Sequence, residues 1–503
     1  MPLKSMKLVQ TIVLLFISTQ FASAQKTTFN ISVEGNSIIK EVELSCFDLK
    51  YCYQHNAKDG YWETDIPIKK GSGQWSEVLT EPVFMNVSIK GMPDREIFLT
   101  PGDSLHLSIK KSILGQEVFV TGTGSNNNQS SSLKGGLNYE KYKSDTLPDR
   151  FLRDMQQAKE RDSAALETYI KNYQPTDNYI TARRMTLRYQ VLDDFYSYYG
   201  NHKFDLDRLP RHEQLDISWQ RALDSLMNNA PLNNESALQA PDFGGLISTF
   251  LLRKKEDLWE AASEKRGAFY QEWYGDSTRG AAIFNSDMQN LLTESIINKY
   301  LSGKVAALAY ANLLHESLGE KEDNLPAIYD RLALQYPDNP YLSFLTADIN
   351  SIREKNRRTL NDKMIFVNGG DSMHHFSELQ QLLKGKTVLV DMWGTWCEPC
   401  RAEINTNAQA LKAHFKGKEV TFLYIANYDL TKDSLWRKLI AYYALEGMHI
   451  LAQQDFTNDI MKKTGANGFP SYILFKKDGS YELSKAGYPM NRKKLIKQIE
   501  AAL

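Results

Sequence analysis

The sequence has few cysteines: four in 503 residues, at positions 46, 52, 397 and 400. That scarcity excludes a disulfide-stapled miniature scaffold, and a chain of this length needs no staples to hold its cores. An excess of either charge is missing too. Sixty Lys and Arg face sixty-one Asp and Glu, a formal net charge of −1. A general nucleic-acid binder needs a basic excess to displace counterions from phosphates, so no nucleic acid is expected as a partner. The local run Arg492-Lys493-Lys494 opens a terminal helical pattern and reads as a solvated face. After residue 24 no stretch is apolar enough to cross a bilayer. No histidine stands at matching spacing to the Cys397 and Cys400 pair, Cys46 and Cys52 fall in another region, and structural zinc wants four ligands, so no metal is expected. No fixed-period repeat runs through the chain; Leu332 to Pro340 hints at a repeat-type helix end once only.

What is present suits an ordinary soluble protein of two to four domains, with 42% hydrophobic and 24% charged residues. Lys4 and Lys7 precede the apolar run Ile12 to Ile17, and Ala22-Ser23-Ala24 offers a small-x-small cleavage site. This is the three-part pattern of a secretory signal over 1–24. Residue 25 is Gln, so the cysteine of a lipoprotein signal is missing. The expectation is an exported, periplasmic chain, soluble after cleavage; an anchored form is the competing reading.

Residues 25–125 read as β. Val42, Leu44 and Cys46 alternate with polar neighbours, as do Leu105, Leu107 and Ile109. Turn signals at 58–60, 71–73, 92–94 and 101–103 separate the runs, which predicts an antiparallel sandwich. Cys46 shares a face with Val42 and Leu44, so a buried free thiol is one reading. Cys52 lies about 20 Å further along an extended chain, and only a turn, with Asp48 its lone former, brings the two within disulfide reach. The polar stretch 125–132 reads as a linker or long loop. From 135 to 355 the pattern is helical and punctuated by prolines, and it announces no chemistry. Tyr196, Tyr198 and Tyr199 read as core packing before a binding surface. From 360 to 503 strands alternate with helices and end in a hairpin and a helix, which predicts a mixed sheet covered on both faces.

Within that last region an apolar strand, Thr387 to Trp393, runs into Trp396-Cys397-Glu398-Pro399-Cys400. Two cysteines three apart, opening a helix after a buried strand, are the working parts of a dithiol–disulfide switch. A helix N-terminus favours the thiolate of Cys397, the form that attacks a disulfide. Cys400, one turn on, is within reach to resolve the mixed species. Pro399 suits a first turn, which needs no donated N–H. Glu398 places a carboxylate beside the attacking sulfur, which alone opposes thiolate formation. A purely structural disulfide would close a very small loop and gain little.

The segment from Val390 to Glu403 resembles the thioredoxin superfamily, most closely its exported TlpA/ResA-like branch, over roughly one domain's length at the C-terminal end. The Phe98 to Leu105 turn, with Val120 to Gly124, resembles a β-domain of unknown function fused in front of such proteins. The resemblance implies an α/β thioredoxin-like fold behind an N-terminal all-β sandwich and a central all-α region. It implies a thiol–disulfide oxidoreductase with Cys397 as nucleophile and Cys400 as resolving thiol. Trp396 matches the tryptophan before the motif, and Pro470 the cis-proline facing it. Phe469 then offers backbone hydrogen bonds to an extended substrate. Asp391 matches a buried aspartate and Glu403 a glutamate of the branch, both as proton handlers. The lysine that often pairs with that aspartate is missing from Val420 to Ala426, and the residues after Glu403 depart from the branch. Implied partners are protein thiols and disulfides, plus a membrane or exported redox partner that recycles the dithiol; no cofactor is implied. A peroxidase of the related peroxiredoxin type needs Pro-x-x-x-Thr-x-x-Cys, but residue 390 is Val and residue 394 is Gly, so antioxidant activity is not expected. The alternative from another class is a redox-sensing scaffold whose β and helical regions hold a partner.

Overall fold

The computed structural model describes residues 24–34, 39–55, 57, 61–112, 115–130, 137–206, 216–319 and 322–503. The expected signal segment lies outside them up to residue 23, as does the turn at 58–60. Among the described residues no helix is long and apolar enough to cross a membrane. The chain divides into two compact units, Met1–Ala230 with Ser236–Phe243, and Pro231–Glu235 with Gly244–Leu503. The central helical stretch is therefore shared between two bodies.

The first unit begins with β1 (Gln25–Glu34), β2 (Glu41–Cys46), α1 (Leu49–Gln54), β3 (Trp62–Pro67), β4 (Ser72–Leu79), β5 (Val83–Ser88), β6 (Arg95–Leu99), β7 (Ser104–Ser112) and β8 (Gly115–Thr123). They form two four-stranded sheets, ordered β4-β1-β7-β8 and β3-β2-β5-β6. The alternating apolar residues of both sheets, among them Phe29, Ile31, Leu44, Val87, Leu105 and Leu107, meet in one core. One pairing departs from the antiparallel expectation: β1 and β7 run parallel. Alternation decides which face is buried but not which way a neighbour runs.

The expected linker is anchored through residue 130; residues 131 and 132 lie outside the described set. Ser125–Asn127 forms a 3-10 turn. The buried Asn128 side chain accepts from the Phe98 N–H at 2.7 Å and donates to its carbonyl at 2.8 Å. A buried amide that satisfies both groups of one strand residue holds the chain to the sheet, which low-complexity composition does not reveal. Helices α2 (Asp149–Tyr173), α3 (Asp177–Leu206) and α4 (Ser218–Asn229) follow. Tyr169 and Tyr179 pack on Phe98 of β6, which ties α2 and α3 to the β-sheets. Tyr196 is buried, Tyr198 stacks on Phe151 at 4.5 Å and Tyr199 on Trp219 at 5.9 Å. These tyrosines pack inward.

The second unit contains α5 (Phe243–Glu264, from Gly244 onward), α6 (Arg266–Tyr274), α7 (Ser277–Ser286), α8 (Met288–Tyr300), α9 (Gly303–Glu316), α10 (Leu325–Gln335) and α11 (Leu342–Asn356). Every residue of α9 from Val305 to Leu314 is buried, so it is the central helix of this group. Then come β9 (Met364–Phe366), α12 (Phe376–Leu383), β10 (Thr387–Trp393), α13 (Glu398–His414), β11 (Val420–Ala426), α14 (Asp433–Tyr442), β12 (Gly447–Leu451), α15 (Gln454–Thr464), β13 (Ser471–Phe475), β14 (Tyr481–Leu483) and α16 (Arg492–Glu500). They build one six-stranded mixed sheet, ordered β14-β13-β10-β11-β12-β9. β10 is central and wholly buried, parallel to β11 and antiparallel to β13. One apolar cluster with α12 and α15 covers one face, and a second with α13 and α16 covers the other. Sequence reading missed β12 and α15. The short run His449-Ile450-Leu451 has no strand alternation of its own, and only its pairing with β11 and β9 makes it one.

Candidate active site

The site forms where β10 ends and α13 begins. Between them, Thr395 donates to Asp429 twice, from N–H at 2.6 Å and from Oγ1 at 2.7 Å. Trp396 Nε1 donates to the Asn427 carbonyl at 2.9 Å, and Asn427 Nδ2 donates to the Trp393 and Ile425 carbonyls, each at 2.8 Å. The loop after β11 thus clamps the turn ahead of the cysteines. Gly394 is required there: a Cβ would lie 2.5 Å from Trp396 Nε1 and 3.1 Å from the Asn427 carbonyl. Asn427 and Asp429, both fully buried, were not read from the sequence. The available signal was their position: polar residues immediately after a buried strand that neighbours the motif strand.

Cys397 is the N-cap of α13, its Sγ accepting from the Cys400 N–H at 3.2 Å. Pro399 falls in the first turn, as its missing N–H permits. Cys397 and Cys400 are joined by a disulfide, with Cα atoms 5.3 Å apart. Cys400 is fully buried and Cys397 only 3% exposed, so both sulfurs of the disulfide are covered. Trp396, 46% exposed, flanks it. Phe469 lies edge-on to Trp396 with ring centroids 5.7 Å apart, and Tyr428 is 6.2 Å from Trp396. The Phe469–Pro470 peptide is cis, and both residues are half-buried. Trp396 and Phe469 are thus brought together, with Tyr428 as a third ring that sequence reading did not single out. Arg401, next to Cys400, is also fixed: Nε donates to the Tyr443 hydroxyl at 3.1 Å and Nη2 pairs with Asp323 at 3.4 Å.

Behind the disulfide turn lies a buried acidic cluster. Asp391, in the middle of β10, and Glu403, on the first turns of α13, line one small cavity with Tyr424, Tyr472 and Asn407. Strand register sets Asp391 beside Tyr424 of β11 and Tyr472 of β13. Burial pushes the Asp391 carboxyl up to about 7, and the Glu403 charge adds to that. Asp391 Oδ1 makes no hydrogen bond among the described residues. Glu403 accepts from Asn407 Nδ2 at 2.7 Å and from the Met490 N–H at 3.0 Å. β11 carries no lysine; Lys412 of α13 lies over the Tyr424 ring, its ammonium 5.2 Å from the centroid. Burial pushes Lys412 down to about 8. Tyr424, Tyr472, Asn407 and Lys412 were missed, because each acts through strand pairing or helix spacing rather than through a motif.

The other cysteines stay apart from this chemistry. Cys46 and Cys52 are free, buried thiols. Asp48 makes the turn, but as the N-cap of α1, accepting from the Tyr51 N–H at 2.8 Å. Cys46 Sγ donates to the Phe84 carbonyl at 3.3 Å and Cys52 Sγ to the Cys46 carbonyl at 3.4 Å. Burial, then the Asp48 charge, raise both thiols, Cys52 to about 12 and Cys46 further. Among the described residues no cluster of His, Cys, Asp and Glu could hold a metal.

Comparison with known proteins bears on the C-terminal end of the chain. Residues 375–503 match the Redoxin family model. The thiol-disulfide oxidoreductase ResA of Bacillus subtilis is 29% identical over 97 residues, 19% of this chain and 51% of that protein. The chain thus spans about half the length of the curated relative it matches. Among solved structures, the thioredoxin domain of a thiol-disulfide oxidoreductase from Bacteroides vulgatus is 25% identical, over 24% of this chain and 83% of that one, with a TM-score of 0.21. A secreted Mycobacterium tuberculosis disulfide oxidoreductase is 22% identical, over 24% and 85%, with a TM-score of 0.20.

Proposed function

We propose, from the match of residues 375–503 to the Redoxin model and the likeness to ResA, that the C-terminal domain is a TlpA/ResA-like domain of the thioredoxin superfamily and that the chain is an exported thiol–disulfide oxidoreductase acting on protein disulfides. The observation that carries this reading is the Cys397–Cys400 disulfide at the N-terminus of α13. In the dithiol form, unpaired N–H groups and the dipole of α13 favour the Cys397 thiolate. Its sulfur attacks one sulfur of a substrate disulfide, forming a mixed disulfide and expelling the other substrate sulfur as a thiolate. Cys400 gives up its proton and attacks Cys397 Sγ. The internal disulfide re-forms and the second substrate thiolate leaves. Two electrons pass from protein to substrate, and a membrane-bound or exported dithiol partner returns them.

Asp391 is the proton acceptor for Cys400, because a carboxyl with a value of about 7 can hold that proton near neutral pH. Glu403 sustains the Asp391 shift through its charge and is the second proton handler. Trp396, Pro399, Phe469 and Pro470 receive an extended substrate strand beside the sulfurs. The signal pattern over 1–24 directs the chain to the periplasm.

The test is reduction of insulin disulfides by the dithiol-loaded full chain. The expected result is turnover by the native protein and none by Cys397→Ser. Full activity in that variant overturns the reading.

A further inference from the structure

The loop after β11 holds one ring against the preference of its own backbone. Asn427 and Asp429 are both fully buried. Asn427 donates to the Trp393 and Ile425 carbonyls and accepts from Thr457 Oγ1 at 2.9 Å, while Asp429 accepts from Thr395. The residue between these two anchored neighbours is turned outward. It is Tyr428, 42% exposed and with φ at 60°. A left-handed backbone is uncommon for residues with a Cβ, and Asn, Asp and Gly take it most readily. At a bulky side chain it persists only where the surroundings enforce it, and such positions cluster at binding and catalytic sites.

The far end of the ring is fixed as well, its hydroxyl donating to Asn458 Oδ1 at 3.2 Å. The Tyr428 and Phe469 rings lie 6.0 Å apart at 87°, and Trp396 meets Phe469 at 86°. Phe469 therefore stands perpendicular to two rings, which is the edge-to-face arrangement that aromatic pairs favour. With Trp396 and Tyr428 both exposed, the three rings make a corner open to solvent rather than a closed core cluster. Trp396 immediately precedes Cys397, so this apolar surface is continuous with the sulfur that a substrate must reach. Exposed aromatic surface in such a place marks a contact with a partner. A cation would also stack on a ring face, but it gains no ion pair from this loop, whose carboxylate, Asp429, is buried and turned to Thr395. An apolar side chain has no such shortfall.

We propose that Tyr428 is a specificity-determining residue: with Trp396 and Phe469 it receives an aromatic side chain of a polypeptide substrate, carried beside the cysteine under attack. The inference rests on the proposed oxidoreductase reading. It adds a residue to the substrate surface and a preference to the reaction. The strained backbone is the reason to assign the role to Tyr428 itself, since packing alone is served as well by a smaller residue at that turn.

The test uses the reduced full chain and three otherwise identical peptides, each with one disulfide flanked by phenylalanine, serine or lysine. The expected kcat/KM falls from phenylalanine to serine by roughly five- to tenfold, the weight of one aromatic contact, with the difference in KM and with lysine close to serine. In Tyr428→Asn, whose side chain suits φ near 60°, the preference shrinks towards one while the unfolding midpoint stays close to the native value. Tyr428→Phe keeps the ring and keeps the preference. Equal rates for all three peptides in the native protein overturn the aromatic preference and leave the oxidoreductase reading intact. A lysine peptide reduced as fast as the phenylalanine peptide overturns the apolar assignment. An undiminished preference in Tyr428→Asn, or an equal loss on every peptide, overturns the role of Tyr428. Cysteine-free versions of the peptides read binding without turnover. Selective binding of the phenylalanine form by a chain that reduces none of the three overturns the oxidoreductase reading and keeps the ring site. Should Tyr428→Asn fail to fold, Tyr428→Gly, which meets no strain at that φ, takes its place.

Discussion

The chain carries two cysteine pairs, each at a junction of strand and helix, and they are opposites. Cys46 ends β2, and Cys52 sits in α1 behind a carboxylate cap supplied by Asp48. Cys397 is itself the cap of α13, with Cys400 one turn inside. In the first pair the groups at the helix start add a negative charge to burial, and both effects hold the thiols protonated. In the second, the cysteine sulfur takes the position that Asp48 takes in the first. A helix start favours whichever anion stands at the cap. In the proposed reading, giving that position to a sulfur makes it the nucleophile, whereas a carboxylate there holds the nearby thiols protonated. The difference lies in which residue caps the helix, not in cysteine content.

The largest expected effect separates the pairs by reactivity. After reduction, a short iodoacetamide pulse at neutral pH should label Cys397 in the native chain and leave Cys46 and Cys52 unmodified, read by peptide mass spectrometry. The rate gap should exceed about a thousandfold, because the thiolate fractions differ while all three sulfurs are nearly covered. Comparable labelling of Cys52 would erase the comparison.

The next effect concerns the carboxylates behind the second pair. Asp391→Asn should slow resolution of the mixed disulfide by roughly ten- to a hundredfold, the usual weight of a positioned proton acceptor. The inflection near pH 7 in the resolution rate should vanish in that variant, since Asp391 is pushed up to about 7. Glu403→Gln should move the inflection downwards, because it removes the charge that adds to the Asp391 shift. Stopped-flow decay of a trapped mixed disulfide across pH measures both. An unchanged profile in Asp391→Asn would assign proton transfer elsewhere.

How far these features were legible depended on how local they were. The Cys-x-x-Cys spacing, the strand from Thr387 to Trp393 and the turn before Pro470 are written in consecutive residues. Asp391 and Glu403 were reachable through the resemblance, one on each side of the motif. The ring of groups around them was not. Tyr424 and Tyr472 become neighbours of Asp391 only through the registers of β11 and β13. Asp429 reaches Thr395 from 34 positions away. In the first unit the alternation of Val42, Leu44 and Cys46 gave the buried face, while the parallel pairing of β1 with β7 left no mark in either strand. Asn128 looked like linker because composition records its polarity and not its partner.

Stability offers a further contrast. In the folded chain Asp391 keeps its proton up to about pH 7, whereas an unfolded aspartate releases it near 3.8. Between those values the folded state binds more protons. The contribution of this group to stability is therefore full below the lower value and is lost as pH rises through 7. Asparagine does not titrate. Asp391→Asn should be more stable than the native chain by about 2–4 kcal/mol at pH 8, an advantage that disappears towards pH 4. Urea unfolding followed at several pH values checks it, and an advantage that grows on acidification would reverse the assignment.

The smallest effect tests whether the first pair is structural alone. Cys52→Ala removes one buried sulfur and its bond to the Cys46 carbonyl. A small buried deletion of this kind costs about 1–2 kcal/mol. That cost should appear in the unfolding midpoint and nowhere else. Insulin reduction by Cys52→Ala should stay within about twofold of the native rate, as expected for sites with no shared partners. The two readouts answer different questions. A lower midpoint with a native rate leaves Cys52 as packing. A several-fold loss of rate, at a temperature where the variant is fully folded, would mean that electrons pass through the first pair. Its raised thiols argue against that, since a sulfur that stays protonated cannot attack a disulfide.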